Sequence, residues 1–344
     1  MINITSPNKL ITYTDSKDHF ENGLLRLLSL DYESFNKWLE YSECSDGNLA
    51  SKLRKGFLKL KNTDEEFIDN DSLIYGPQNT SGVILYKTLI KDNSHGIGLS
   101  DDCTIAWLID SNNNFEKNAP VYEEDYFEGN KEIFGGYGKY FQQSNWRLDK
   151  SNRQVKELTN ITGLTSGKVL DIGSGYGYFR KALSNHSFEH DGIEISKHAI
   201  NIAKDLYNFD TYHGTLLDYH KELKNTYDVV TLWDVIEHIP DPEKLLEKIY
   251  SVLKPGGYVV IKTPNISCLE GYIFGKYYHS FKREHLIYFS DKSLSSYAVN
   301  AGFSVYKSQS VSHLLTGFFG KQYTDEVEQT LHGSDLIIYL QKKI

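Results

Sequence analysis

Val169-Leu170-Asp171-Ile172-Gly173-Ser174-Gly175-Tyr176-Gly177 is the stretch on which the reading of this chain turns. A short apolar run, read as a strand over Val169–Ile172, ends in three glycines at alternate positions. Glycine suits a backbone that must turn sharply while a ligand approaches it closely, because a β-carbon obstructs both. Asp171 stands two residues before the first glycine, where its charge can order the loop. Twenty-one residues beyond Gly173 (194 − 173), Glu194 closes a second strand. A carboxylate at such a strand end accepts hydrogen bonds from ribose hydroxyls.

Outward from the loop, short apolar strands alternate with helical stretches. The strands are predicted over Val169–Ile172, His190–Glu194, Phe209–His213, Asp228–Trp233, Tyr258–Thr263, Phe303–Ser308 and Asp335–Leu340. Helices lie between them, including Ser196–Leu206 and Pro242–Leu253. The second has Asp241 as N-cap and Pro242 at its first position, and it stops before Lys254-Pro255-Gly256-Gly257. This alternation predicts an α/β fold, a doubly wound, seven-stranded, mostly parallel sheet. The first third reads differently, as an α+β accessory region. Leu24 to Leu39 and Lys52 to Lys61 have helical spacing, while Val83–Tyr86 and Ile105–Ile109 are strand-like. The polar run Ser111-Asn112-Asn113-Asn114, followed by Pro120, marks the boundary, giving residues 1–118 and 119–344 as two domains.

The 344 residues carry a net charge of -9. An acidic balance argues against a nucleic-acid partner, which needs a basic face to displace counterions. No apolar run is long enough to span a membrane, and the start lacks the pattern of a secretory signal, so a cytoplasmic location is expected. Cys44, Cys103 and Cys268 are isolated from one another and offer no zinc ladder, so no metal is expected. The oligomeric state is not legible.

Three readings of the loop compete: a tight turn without ligand, a nicotinamide dinucleotide site, and an S-adenosylmethionine site. The spacing is GxGxG, whereas the dinucleotide fingerprint is GxGxxG. S-adenosylmethionine has no pyrophosphate and does not need the third glycine at that spacing.

Several motifs in order resemble class I S-adenosylmethionine-dependent methyltransferases. Val169 to Gly177 looks like their first motif, and Asp228-Val229-Val230-Thr231-Leu232-Trp233-Asp234-Val235-Ile236-Glu237-His238-Ile239-Pro240-Asp241-Pro242 like their fourth-strand motif. Leu253-Lys254-Pro255-Gly256-Gly257 is similar to the turn before their fifth strand. Thr263-Pro264-Asn265, His285-Leu286-Ile287-Tyr288-Phe289-Ser290 and Ala301-Gly302-Phe303 resemble a subgroup acting on quinones, sugars and natural-product intermediates. The resemblance covers roughly residues 121–344. It implies that Asp171, Gly173, Ser174, Gly175 and Gly177 cradle the cofactor, that Glu194 holds the ribose, and that Ile195 packs on the adenine. It further implies that Thr215 and Leu216 read the adenine edge, with Thr215 where the family often has aspartate, and that Trp233 and Asp234 border the methionine moiety. Asp125-Tyr126-Phe127 and Gly135-Gly136-Tyr137-Gly138 resemble an aromatic lead-in. Tyr137, Tyr140, Tyr176 and Tyr178 are candidates for a π-face toward the sulfonium.

Methyl transfer to an alcohol or phenol gains from a base, and histidine suits that task at neutral pH. His238 follows the fourth strand, and His285 lies where the family builds its acceptor pocket. Each also has a structural reading, as a loop anchor. The segment Ile266–Phe289 reads as a helical hairpin with a charged edge, or as an acceptor cap in which Lys276, Lys282 and Arg283 meet an anionic sugar or nucleotide-linked intermediate. The expected activity is therefore methylation of a small-molecule acceptor, at oxygen before nitrogen. A cofactor-binding scaffold without catalysis, or a nicotinamide-dependent oxidoreductase, are the rivals.

Overall fold

A computed structural model describes residues 73–86, 94–101, 104–117, 122, 124–128, 141–219, 223–268, 270–271, 278, 280–312 and 328–344. The helical spacings at 24–39 and 52–61, Cys44, Cys103, Tyr137, Tyr140 and Lys276 lie outside them.

The chain divides into two units. Unit 1 comprises the described residues of Met1–Ala119, Thr263–Leu294 and Ser308–Ile337, and unit 2 those of Pro120–Lys262, Ser295–Lys307 and Ile338–Ile344. Two stretches of the chain's second half thus group with the N-terminal residues, so neither unit is one continuous run.

In unit 1, β1 (Leu73–Tyr75), β2 (Ser81–Tyr86), β3 (Gly96–Ser100) and β4 (Ile105–Ile109) form an antiparallel meander. Trp107 on β4 is fully buried, and a Cβ at Gly76 would lie 2.5 Å from its indole. Small residues there let the strands close over a large ring. The polar run after β4 is a tight turn: Asp110 Oδ1 accepts from the amides of Asn112 and Asn114, both at 2.8 Å. This is side-chain capture of the backbone, the usual use of aspartate in turns.

In unit 2, α1 (Glu124–Glu128) and α2 (Ser144–Thr162) precede β5 (Gly167–Ile172). There follow α3 (Tyr178–Asn185), β6 (Phe188–Glu194), α4 (Lys197–Tyr207), β7 (Tyr212–His213), β8 (Tyr227–Trp233), α5 (Pro242–Val252) and β9 (Leu253–Pro264). Further along the chain come β10 (Ile287–Phe289), which belongs to unit 1, and then α6 (Asp291–Asn300), β11 (Phe303–Val311) and β12 (Asp335–Lys342). Seven of these strands form one sheet in the order β11-β12-β9-β8-β5-β6-β7. The pairs β5/β6, β6/β7, β5/β8 and β8/β9 are parallel. The expected seven-stranded, doubly wound α/β sheet is therefore present.

Three local expectations need correction. The third strand begins at Tyr212, not Phe209, because Arg180 engages the approach to it: its guanidinium lies 4.6 Å over the Phe209 ring and donates to Thr211 Oγ1 at 2.7 Å and Asp210 O at 2.9 Å. The segment expected as a helical hairpin ends instead in a strand, since β10 pairs antiparallel with β4, Ile287 opposite Trp107. Tyr176 and Tyr178 are buried with Phe127 and Ala199 in an aromatic cluster, and serve as core rather than as an open π-face. Among the described residues no helix is long and apolar enough to cross a membrane.

Candidate functional site

The strand order reverses at β5, from which β6 and β7 run one way and β8 and β9 the other. Open α/β sheets bind ligands at the carboxyl ends of strands beside such a reversal. Gly173–Gly177 occupies that position. Gly173 has φ +68°, and a Cβ there would meet Val235 Cγ2 at 2.5 Å. The loop is tied down by Gly173 N and Ser174 N, which donate to Ile193 O at 2.8 and 3.1 Å, and Gly177 at φ +81° caps α3. These residues need glycine for both of the reasons a close-approach loop implies.

Glu194 ends β6 and is buried. Its Oε1 accepts from the amides of Ile195 and Ser196, both at 2.9 Å, and its Oε2 accepts from Gly175 N at 2.8 Å. Burial pushes its carboxyl above the ordinary range, against the three amides that hold it down. A carboxylate offers about four lone-pair positions. Three are filled from within the chain, which leaves room on Oε2 for one ribose hydroxyl, not two. Glu194 is thus the brace of the glycine loop as well as a ligand candidate, a role no sequence window displays. Asp171 is also buried and accepts from Thr231 Oγ1 at 2.8 Å.

Ile195 is 45% exposed directly after Glu194, while Leu216 is 1% exposed and Leu217 is 44% exposed. Of the two leucines, Leu217 has the open apolar surface, and Leu216 is core. The Thr215 hydroxyl donates to Asp218 Oδ2 at 2.6 Å and accepts from Asp218 N at 3.2 Å. It is therefore engaged locally, with the exposed carboxylate of Asp218 beside it. Asp234 has φ +59°; its amide donates to Lys262 O at 3.0 Å and its Oδ1 pairs with Lys262 Nζ at 2.5 Å. Lys262 is buried at the end of β9, and a lysine inside an apolar strand run carries no motif that would mark it in the sequence. Trp233 packs on Phe179, ring centroids 5.1 Å apart, and its buried Nε1 has no hydrogen-bond partner among the described residues.

The two histidines belong to different units. His238, in a 3-10 turn of unit 2, has Nε2 4.0 Å from Glu237 Oε1 and meets the Tyr122 ring edge-on at 5.6 Å. His285, in unit 1, is buried with Nδ1 2.8 Å from Ser280 O. A carbonyl only accepts, so Nδ1 carries a proton. In the same segment Arg283 is exposed, and Lys282 Nζ lies 3.9 Å from Glu284 Oε1.

With the fold and the loop in place, residues 146–308 match a family model described as a methyltransferase domain. Among its relatives, the chain is 33% identical over 125 residues to the ubiquinone biosynthesis O-methyltransferase of Aliivibrio fischeri (strain MJ11), covering 34% of this chain and 52% of that protein. A protein of the same description from Paraburkholderia phymatum is 30% identical over 129 residues, or 35% of this chain and 54% of that one. The match thus spans about half the length of these relatives. A solved S-adenosylmethionine-dependent methyltransferase from Archaeoglobus fulgidus is 21% identical, with TM-score 0.46, over 59% of this chain and 100% of that one.

Proposed function

We propose that the protein transfers a methyl group from S-adenosylmethionine to a small-molecule acceptor, at oxygen before nitrogen. The observation that carries this is the Gly173–Gly177 loop, braced by Glu194 at the strand-order reversal. Bound S-adenosylmethionine supplies a methyl carbon activated by its sulfonium. The residues present suit such a ligand: the close-approach glycines, the remaining acceptor position on Glu194 Oε2, and the open apolar faces of Ile195 and Leu217. Asp218 takes the adenine amino group in this reading, and Asp234, held by Lys262, borders the methionine end. Its rivals are a cofactor-binding scaffold without catalysis and a nicotinamide-dependent oxidoreductase.

Calorimetric titration separates the cofactors: S-adenosylhomocysteine binds and NAD does not. Glu194→Ala weakens binding of S-adenosylhomocysteine by about tenfold or more, since a bond to a charged group contributes about 1.5–3 kcal/mol. It also lowers the melting temperature, because three amides lose their acceptor. An unchanged dissociation constant in Glu194→Ala would overturn the ribose role.

O-methylation is favoured by the description of the relatives. His285 accepts the acceptor's hydroxyl proton as the oxygen bonds to the methyl carbon and the carbon–sulfur electron pair leaves with sulfur; His238 is the second candidate. Arg283 grips an anionic group of the acceptor, such as a phosphate or carboxylate on a sugar or nucleotide-linked intermediate. Once an acceptor is found by product mass, His285→Ala lowers kcat by about 10²–10⁴. Arg283→Ala raises the acceptor KM and leaves cofactor affinity alone. Equal kcat in His285→Ala removes the base role, and equal KM in Arg283→Ala removes the anionic acceptor.

A further inference from the structure

Tyr176, between the second and third glycines of the loop, is fully buried although its hydroxyl is polar. That hydroxyl donates to Glu128 Oε1 on α1 at 2.9 Å and lies 2.9 Å from His198 Nε2 on α4. A phenol has one proton. With it given to Glu128, the bond from His198 must run from Nε2–H to the phenol oxygen. Glu128 Oε1 also accepts from Phe141 N at 2.8 Å. One carboxylate oxygen therefore joins the end of α1, the backbone before α2, and the middle of the glycine loop. Aromatic packing surrounds the node, with the Phe127 ring 5.1 Å from Tyr176 and 6.1 Å from His198.

The loop thus has two independent anchors. Glu194 holds the amide of Gly175 from β6, and Glu128 holds the side chain of the next residue from α1. The glycines that permit a close approach also leave the loop many alternative conformations, and an anchor on each side removes them. We propose that Glu128 is a positioning residue for the cofactor: acting through Tyr176, it fixes the glycine loop and couples the order of α1 to cofactor binding. This rests on the loop being the S-adenosylmethionine site.

The test is a set of titrations with S-adenosylhomocysteine on the full chain. Glu128→Ala and Tyr176→Phe each raise its dissociation constant about tenfold, the scale of one hydrogen bond to a charged group. The double variant falls well short of the two single effects combined, because both remove the Glu128–Tyr176 bond. Glu128→Gln, which keeps an acceptor oxygen for both Tyr176 and Phe141, binds close to wild type; a role for the charge in stability alone would not be rescued this way. Hydrogen exchange on the wild-type protein gives a second readout that needs no variant. S-adenosylhomocysteine slows exchange in 124–128 and at Phe141 together with 171–178. Wild-type affinity in Glu128→Ala or Tyr176→Phe, full additivity in the double variant, or unchanged exchange in α1 each overturns the proposal. If the wild-type protein fails to bind S-adenosylhomocysteine, the cofactor reading falls instead. A double-mutant cycle on melting temperature then still measures the Glu128–Tyr176 bond, and its absence there would overturn the coupling too.

Discussion

Asp171 shows how one side chain can report on the site. Burial pushes its carboxyl from 3.8 up to about 7, opposed by the Thr231 hydroxyl and by Arg180, and reinforced by the charge of Glu194. Because its folded pKa lies above the unfolded one, the protonated acid favours the fold. That contribution is complete below 3.8 and is lost as pH rises through about 7. A cationic ligand beside the loop favours the carboxylate instead, so binding expels the proton from the neutral acid. S-adenosylmethionine affinity should therefore rise from about pH 6 to about pH 8, with proton uptake by the buffer on the acid side. Calorimetry at about pH 6 in two buffers of different ionisation heat reads that proton. Asp171→Asn should abolish the difference between buffers; a difference of equal size in that variant would clear Asp171 of the linkage.

The elements differ in how openly they declare themselves. Helix α5 follows its signals closely: Asp241 accepts from Lys244 N at 3.2 Å, Pro242 opens the helix, and Val252 ends it. Asp241→Ala should cost about 1 kcal/mol, read as a lower urea midpoint, with Asp241→Ser restoring most of it. A midpoint equal to wild type in Asp241→Ala would show that the cap contributes nothing. Helix α2 has no such face. Across 19 residues only Ser151, Val155 and Leu158 are buried, so its period is hidden under a polar surface. Strand β3 is Gly-Ile-Gly-Leu-Ser, whose glycines have little strand propensity of their own, and Gly98 lies opposite Trp107.

Across the whole molecule, unit 1 is assembled from three separate stretches of chain, and its five-stranded sheet runs β1-β2-β3-β4-β10. Trp107 is the largest fully buried side chain in it, under Gly76 and Gly82. Trp107→Ala should destabilise unit 1 by about 3–5 kcal/mol, the usual cost of removing a buried aromatic. Every residue assigned to the cofactor lies in unit 2, so binding of S-adenosylhomocysteine should persist in the folded variant. Melting followed by circular dichroism, with parallel titration, separates the two effects; a folded Trp107→Ala protein without affinity would contradict the division of labour.

What could be read from the chain alone is what consecutive residues carry: the glycine loop, the strands around it, the capped α5, and Glu194 at its fixed offset. Steric demands on glycine, side-chain period and capping chemistry all act over a few residues, so a short window contains them. The rest depends on partners that no window holds. Glu194 spends three acceptor positions on its own loop, Thr215 is occupied by Asp218, and Lys262 meets Asp234 across 28 residues. Glu128 reaches Tyr176 across 48 residues, and Ile287 faces Trp107 across 180 (287 − 107). Hydrogen bonds and strand pairs form between whichever groups the packed backbone brings within about 3 Å and 5 Å respectively. Folding therefore turned Glu194, read as a ribose ligand, into a brace as well, and placed the last residues of the segment read as a hairpin of helices or an acceptor cap, Ile287–Phe289, in a strand of a second sheet.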